Sequence, residues 1–429
     1  MEFKVDKDFT ESAEKLLGRL NYHKYFFDSG ISLQSNCKDI LDDHRELFSP
    51  DVLADLDRSI YNENDHEKIE LFKVFVSNMI QTYYGSEHID RLNNEFIKQA
   101  QNPENKGKNL LNLIPAIKTE RKREKRNKLG KQYSELSKEL YHNLELVIEK
   151  RNETSTLLGC NDYIDQTRSL CSLDVESTEK LCNDFLSDTE YIYKDLLGWQ
   201  LKNKLEIRID DARHEDILFL FNSYELKDYF KQTSADKLST RFLDEMGINL
   251  PGSIKFDLNN RLTKNPDART YPVSVPDNIL ISVNRIKTAE DYDSILGQIG
   301  KSLLLGSINI DDSFEKKRLI DPTTLEIFKF LFEDLIFEQN WLQRYLRLDT
   351  DKNFLEFLYL KKLFQIRNLC LNVLSYRLIY ENNLHQALEQ ISELYQKSSF
   401  IKPNEHMVLL NLILDKDTPY YSFRACLLE

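Results

Sequence analysis

Apolar residues recur at intervals of three and four positions over the first 205 residues, with charged residues between them. This spacing places the apolar side chains on one face of an α-helix. Clusters of Pro, Gly, Asn and Asp interrupt the pattern near residue 50, at 101–109 and near 160, where we expect loops. No fixed-period repeat is visible, so the sequence predicts an N-terminal helical lobe over 1–205 rather than a helical solenoid. The clearest helical stretches are ESAEKLLGRLNYHKYFF, HEKIELFKVFVSNMIQTYY, SELSKELYHNLELVIEK and TEKLCNDFLSDTEYIYKDLLGWQ.

Residues 249–286 depart from this pattern. The runs IKFDL, TYPVSV and ILISV alternate apolar and polar residues between Pro, Asn and Asp, which is typical of short strands joined by turns. Pro272 and Pro276 lack the backbone donor that a central strand needs, so the second run is predicted as an edge strand or a strand interrupted by a bulge. We expect a small sheet at about 250–286, a helix at about 289–306 and C-terminal helices, together forming a second lobe over 206–429.

Composition and charge narrow the class of protein. The chain has 429 residues, of which 41% are hydrophobic, and only 12 Gly and 10 Pro, which indicates a globular protein. Its net charge of −13 disfavours non-specific binding to nucleic acid or to acidic membranes. No apolar run approaches the roughly 18–20 residues of a membrane-spanning helix, and the N-terminus lacks a signal-peptide pattern. We therefore expect a cytoplasmic protein whose partners are peptides, proteins or small molecules.

Two features that suggest other chemistry have simpler interpretations. The basic run KTERKREKRNKLGK (118–131) holds eight Lys or Arg against two Glu, but it lacks interleaved aromatic residues for base stacking. We interpret it as a solvated helix face. The cysteines form no CxxC pair, so core positions in a reducing compartment are favoured over a zinc-thiolate site. They are Cys37, Cys160, Cys171, Cys182, Cys370 and Cys426.

The segment after the predicted sheet carries a resemblance to a known family. AEDYDSILGQIGKSLL (289–304) is followed about one helix later by DPTTLEIFKFLFEDL (321–335). This arrangement resembles the thimet oligopeptidase and oligoendopeptidase F family of gluzincin zinc metallopeptidases. In that family two His at i and i+4 of the first helix bind zinc, the Glu beside the first His is the general base, and a Glu of the second helix is the third ligand.

Other segments extend the resemblance over most of residues 105–429. It implies a mainly α, zincin-like helical body with a small sheet beside an active-site cleft. The segments are EKRNETSTLLGCNDY (149–163), DARHEDILFLF (211–221), KNPDARTYPVSVPDNILISV (264–283), which resembles the family's cleft-edge strand, and PYYSFRACLLE (419–429), which resembles its Tyr-rich closing helix.

The chain departs from the family at the residues that do the chemistry. Where the family has His-Glu-x-x-His, this sequence has Gly297, Gln298 and Lys301, and only Glu326 matches the third zinc ligand. Gly offers no ligand atom, Gln does not exchange a proton near neutral pH, and Lys brings a cation into a cation site. The resemblance therefore implies a degenerate site with no catalytic residue and no zinc. The alternative is that these are ordinary helix residues in a cleft that is no longer used.

Two other His-Glu pairs occur, and neither has a second His four residues later. They are His66-Glu67 and His214-Glu215, which we interpret as exposed helix residues. At the degenerate site, loss of zinc would leave a partly buried Glu326 without a cation, so we predict that Lys301 pairs with it. The alternative is that Lys301 extends to solvent.

The resemblance also implies residues that bind a peptide. The edge strand would add an extended segment by strand pairing, and Tyr residues of the closing helix bind substrate in the family, although core packing is an equal alternative for them here. The candidates are Ala268, Arg269, Thr270, Tyr271, Val273, Ser274, Tyr420 and Tyr421.

Three functions follow from these observations. The first is a catalytically inactive metallopeptidase homologue, a pseudopeptidase, that binds a peptide or protein in the former substrate channel. The second is a structural or scaffolding subunit with a filled cleft. The third is an oligopeptidase that acts by another mechanism, although no Ser/His/Asp or Cys/His arrangement lies close in the sequence.

Overall fold

The computed structural model describes residues 5–59, 66–102, 109–170, 173–222, 241–284, 289–348, 352–414 and 419–428. Within this part, most of the first 205 residues are helical, as the sequence predicts. The helices there are α1 (Lys7–Asp28), α2 (Cys37–Asp42), α3 (Pro50–Ser59), α4 (His66–Gln101), α5 (Leu110–Thr119), α6 (Arg123–Lys138), α7 (Tyr141–Leu157), α8 (Tyr163–Leu170), α9 (Val175–Asp188) and α10 (Glu190–Leu205).

Helices also make up most of the described residues after residue 205. They are α11 (His214–Phe221), α12 (Ala289–Gly306), α13 (Phe314–Arg318), α14 (Pro322–Glu333), α15 (Gln339–Trp341), α16 (Lys352–Glu381), α17 (Leu384–Ser399), α18 (Glu405–Leu414) and α19 (Pro419–Leu428). Short 3₁₀ turns lie at Arg45–Leu47, Ile209–Asp211 and Asp334–Phe337, and a π turn lies at Leu342–Leu346. None of the described helices is both long and apolar enough to cross a membrane.

Several helices begin at a side chain that the sequence places for that purpose. An Asp or Asn carboxylate or amide oxygen accepts a backbone N–H of the first turn, which satisfies a donor that the helix leaves unpaired. At the start of α14 the capping Asp is followed by Pro322, whose fixed φ suits the first helical position. The capping residues are Asp6, Asn109, Asp174, Asp321 and Asn383.

In the part of the chain that the structure describes, the sheet has three strands, β1 (Ile254–Asp257), β2 (Arg269–Ser274) and β3 (Asn278–Ser282), in the order β1-β3-β2. β1 runs parallel to β3, and β2 runs antiparallel to it. The register between β2 and β3 shifts between Pro272 and Ser274. β2 is thus an edge strand of this sheet and also carries an irregularity at its proline, so the prediction for this run is confirmed in both of its forms.

Buried apolar side chains form three clusters. One joins α1–α4 to Phe314, a second surrounds the sheet and α12, and a third joins α4–α9 to α16–α19. Each cluster draws on residues from both sides of residue 205, so the two predicted lobes share their cores. The boundary itself stays a prediction. Cys182 and Cys370 lie fully buried in the third cluster, as expected of core residues, but Cys37, Cys160 and Cys426 are only half-buried. Cys171 lies outside the described residues.

The prediction that His214 and Glu215 are exposed is wrong. α11 is apolar around most of its surface and lies in the interior, so its first turn is covered. Glu215 is buried, accepts a hydrogen bond from Asn404 Nδ2 at 3.2 Å, and fits against Gly130, where a Cβ would lie 1.9 Å from its Oε1. Burial raises the pKa of Glu215 and lowers that of His214 to about 4. His66 and Glu67 are exposed, as predicted.

The basic run is only partly a solvated face. Arg126 is buried, and its guanidinium lies 2.8 Å from the Asp216 carboxylate and 4.3 Å above the Phe219 ring. Arg123 also reaches Asp216, at 3.1 Å. The prediction is therefore wrong for Arg126, because this side chain holds α6 against the buried start of α11. The remaining basic residues of the run that lie on α6 are exposed, namely Lys125, Lys128 and Lys131.

Candidate functional site

The site lies where α12 crosses α14. The crossing is close because α12 presents glycines: a Cβ at Gly300 would lie 2.2 Å from the Phe328 carbonyl oxygen, and a Cβ at Gly297 would lie 2.5 Å from Glu333 Oε1. Positions 297 and 301 are one turn apart, so they share the helix face that meets α14. The close contact between the α12 backbone at Gly300 and α14 brings that face directly against the side chains of α14.

Lys301 and Glu326 meet at this crossing. The Lys301 ammonium donates to Glu326 Oε1, which confirms the predicted pair and rules against the alternative that Lys301 extends to solvent. Glu326 Oε2 accepts from Lys329 Nζ at 3.0 Å and from Ser422 Oγ of α19 at 3.2 Å. The Glu326 side chain is 6% exposed, so a buried carboxylate is held by two ammonium groups and one hydroxyl.

The charges around Glu326 set its protonation state. Burial on its own raises the pKa of Glu326, but the ammonium groups of Lys329 and Lys301 outweigh burial and lower this pKa to about 2. Glu333, seven residues later on α14, shows the opposite result. Burial raises the pKa of Glu333 to about 7, although Lys329 lowers it, and the nearby carboxylates of Asp293 and Glu326 raise it further. Asp293 is itself paired with Lys361 at 2.8 Å.

The raised pKa of Glu333 predicts a pH-dependent stability. A carboxyl whose folded-state pKa lies above its unfolded value stabilises the fold below the unfolded pKa, and that stabilisation is lost as the pH rises through the folded value. The window here runs from 4.5 to about 7. Relative to a Glu333→Gln variant, the native protein should lose about 2 kcal/mol of unfolding free energy between pH 5 and pH 8, measured by urea titration. Parallel pH profiles for the two proteins would contradict this.

Glu326 affects the free energy of unfolding over a separate pH range and in the opposite direction. Its pKa is depressed from 4.5 to about 2, so its contribution is present above the unfolded value and is lost as the pH falls from 4.5 toward 2. The two carboxyls can therefore be distinguished by pH alone.

The residues at the crossing do not fit the zinc ion that the resembled family binds at the matching positions. Gly297 has no side chain, and the ammonium of Lys301 occupies the carboxylate that would be the third ligand. The described residues contain no group of three or more His, Cys, Asp or Glu side chains placed to hold a metal ion. A zinc ion at this site would have to displace two ammonium groups from Glu326 while gaining no imidazole in return.

Strand β2 lies against α12 beside this crossing. Thr270 Oγ1 donates to the Gln298 carbonyl oxygen at 3.3 Å and lies 3.1 Å from Ser302 Oγ. The neighbouring Tyr271 is buried, and its hydroxyl donates to Asp28 of α1 at 3.0 Å. The Tyr271 side chain therefore faces α1 and the interior, and peptide binding at this position through its backbone stays a prediction.

The second half of β2 is occupied from within the chain. Arg318 donates to the carbonyl oxygens of Pro272 at 2.6 Å and Val273 at 2.8 Å, and Glu14 of α1 accepts from Arg318 Nε at 2.8 Å. Arg318 thus supplies donors to two carbonyls at the strand irregularity. A peptide could not pair with the Val273 carbonyl while Arg318 holds it. Peptide binding at Ala268, Arg269, Thr270 and Ser274 stays a prediction.

The C-terminal helix contributes a different residue from those predicted. Tyr420 is fully buried and donates to Glu179 at 2.9 Å, so core packing is the correct alternative for it and the binding role is wrong. Tyr421 is half-buried and packs against the third cluster. Ser422 is the residue of α19 that reaches Glu326, and the sequence analysis missed it, together with Lys329. Lys329 could have been found, because it lies three residues after Glu326 on one helix.

The fold is that of oligoendopeptidase-type peptidases, a helical body with a small sheet. A protein from Bacillus anthracis strain Ames, described as an oligoendopeptidase F, aligns with a TM-score of 0.56 at 13% identity, over 97% of this chain and 78% of its own. PZ peptidase A, solved with an inhibitor, aligns with a TM-score of 0.60 at 12% identity, over 97% and 79%. Another protein described as an oligoendopeptidase F gives 0.58 at 12%, over 98% and 84%. No family model and no curated protein matches the sequence, so the similarity is one of fold.

Proposed function

We propose that this protein is a catalytically inactive homologue of the metallopeptidases whose fold it has, and that it binds a peptide or protein partner beside α12 and β2. The observation that carries the proposal is the Lys301 ammonium on Glu326, at the positions that match two zinc ligands of the family. An ammonium supplies the positive charge that Glu326 needs, but it neither activates water nor polarises a carbonyl as zinc does. Peptide binding could persist without these steps.

A structural subunit with a filled cleft is the second candidate. It is favoured by Arg318, which is paired with Glu14 and donates to the carbonyl oxygens of Pro272 and Val273 on the edge strand. The two candidates differ in whether the first half of β2 accepts a ligand.

Zinc analysis and a peptidase assay test the inactive-homologue proposal. We expect far less than one equivalent of zinc per chain after purification with added zinc, and no cleavage of fluorogenic peptides, because Glu326 is the one family ligand retained. An active oligoendopeptidase purified in parallel is the positive control. One equivalent of tightly bound zinc, lost together with peptidase activity in a Glu326→Ala variant, would overturn the proposal.

Hydrogen exchange separates the partner-binding protein from the structural subunit. A bound extended peptide should slow amide exchange within residues 268–271, and the second half of β2 should not respond while Arg318 holds its carbonyls. An Arg318→Met variant should extend the protection toward Ser274. No protection by a diverse peptide pool at about millimolar concentration would favour the structural subunit.

A further inference from the structure

Lys301 has more hydrogen-bonding capacity than Glu326 uses. An ammonium carries three N–H donors. Among the described residues, the one hydrogen-bond partner of Lys301 Nζ is Glu326 Oε1, and 18% of the Lys301 side chain remains exposed. Donors of this ammonium are therefore left for a group that approaches from the solvent side.

The charges in direct contact with the Glu326 carboxylate are positive. Lys301 and Lys329 bring two positive charges to Glu326, which supplies one negative charge. Asp293 and Lys361 form a separate pair at 2.8 Å and cancel each other. Glu333 lies 4.0 Å from Lys329 and adds a negative charge only in its ionised form. A ligand that carries negative charge is thus favoured here over a cation or a neutral group.

Gln298 adds a second donor next to Lys301. The two residues are three positions apart on α12, so their side chains are neighbours on the helix surface. The Gln298 side-chain amide makes no hydrogen bond within the described ranges, and the residue is half-buried. Its backbone carbonyl accepts from Thr270 of β2, which places Gln298 beside the first half of the strand, away from the carbonyls that Arg318 occupies. An ammonium and an amide side by side match the two oxygens of one carboxylate.

We infer that the partner presents a carboxylate to Lys301 and Gln298. This carboxylate is either the free C-terminus of a peptide or the side chain of an acidic residue. The inference rests on the proposed function, because it names the chemical group that the bound peptide places at the former catalytic helix. Lys301 then has two roles: it neutralises Glu326 inside the crossing, and it receives the acidic group of the ligand at the surface.

Fluorescence anisotropy on the intact protein tests the inference with four pools of labelled random hexapeptides. The first two pools contain only uncharged residues and end in a free carboxylate or in an amide. The other two are amidated and carry either one acidic residue or its uncharged amide counterpart. At least one carboxylate pool should bind about tenfold more tightly than its matched amide pool. A difference between the first two pools identifies a C-terminal carboxylate, and a difference between the other two identifies an acidic side chain.

Variants assign the preference to Lys301. A Lys301→Met, Glu326→Gln double variant removes both charges without leaving a buried carboxylate unpaired, and it should bind all four pools equally. Lys301→Arg should keep the preference, as should the matched control Lys352→Met, whose side chain is 89% exposed on α16. Equal binding of all pools by the native protein would overturn this inference and leave the proposed function standing. No binding of any pool at millimolar concentration would overturn both.

Discussion

Replacing Lys301 by methionine should lower the free energy of unfolding by about 3 kcal/mol. The reason is the burial of Glu326, whose side chain is 6% exposed and whose charge is compensated by two ammonium groups. Methionine has a similar length and volume, so the loss reports the charge rather than a cavity. Urea unfolding followed by circular dichroism at pH 7 measures it. A loss below about 0.5 kcal/mol, similar to that expected for the exposed control Lys352→Met, would contradict the prediction.

A double-mutant cycle isolates the pair from other effects of the substitution. Glu326→Gln removes the carboxylate charge but keeps its shape, and the double variant leaves neither group unpaired. We expect the double variant to be more stable than the sum of the single losses predicts, by about 1–3 kcal/mol. Strict additivity would show that the two groups are not coupled, even though they are in contact.

The parts of this fold that follow local spacing could be predicted from the sequence. Apolar periodicity identified the helical body, and Pro272 and Pro276, within and just after the second strand, identified an irregular edge strand. The Lys301–Glu326 pair could also be predicted. Positions 297 and 301 are one helix turn apart, and the family resemblance implies that Glu326 faces them. Each of these inferences needs only the residue spacing within one or two helices or strands.

The parts that depend on distant packing could not be predicted. Arg318 is 304 residues from Glu14 in the sequence, yet the two meet at β2, and no local pattern links them. Arg126 and Glu215 carry charges that normally indicate exposure, but α11 is buried by elements from across the chain. Ser422 was missed because the sequence does not show which position of α19 faces Glu326. Ser422 donates to Glu326, whereas Tyr420, two residues earlier, lies in the core.

Gly300→Ala should be at least as damaging as the loss of Lys301, although it adds a single methyl group. The new Cβ would lie 2.2 Å from the Phe328 carbonyl oxygen and 2.8 Å from Phe332 Cδ2. A backbone carbonyl within a helix cannot rotate away, so α12 and α14 would have to separate. We expect a loss of about 3 kcal/mol in unfolding free energy, at the upper end of the range for overpacked cores.

The matched control is Gly198→Ala within α10, where a Cβ would meet no atom within 4 Å apart from the adjacent backbone of its own helix. Alanine has the higher helix propensity, so this variant should gain about 0.5–1 kcal/mol. Gly300→Ala has the same propensity gain, and any net loss therefore measures the clash at the crossing. Because separation of the helices also moves Lys301 away from Glu326, the coupling energy of that pair should fall when the cycle is repeated in the Gly300→Ala background. If Gly300→Ala instead stabilises the protein as Gly198→Ala does, α12 and α14 do not approach as closely as described. The contact between the Lys301 ammonium and Glu326, which depends on that approach, would then also be wrong.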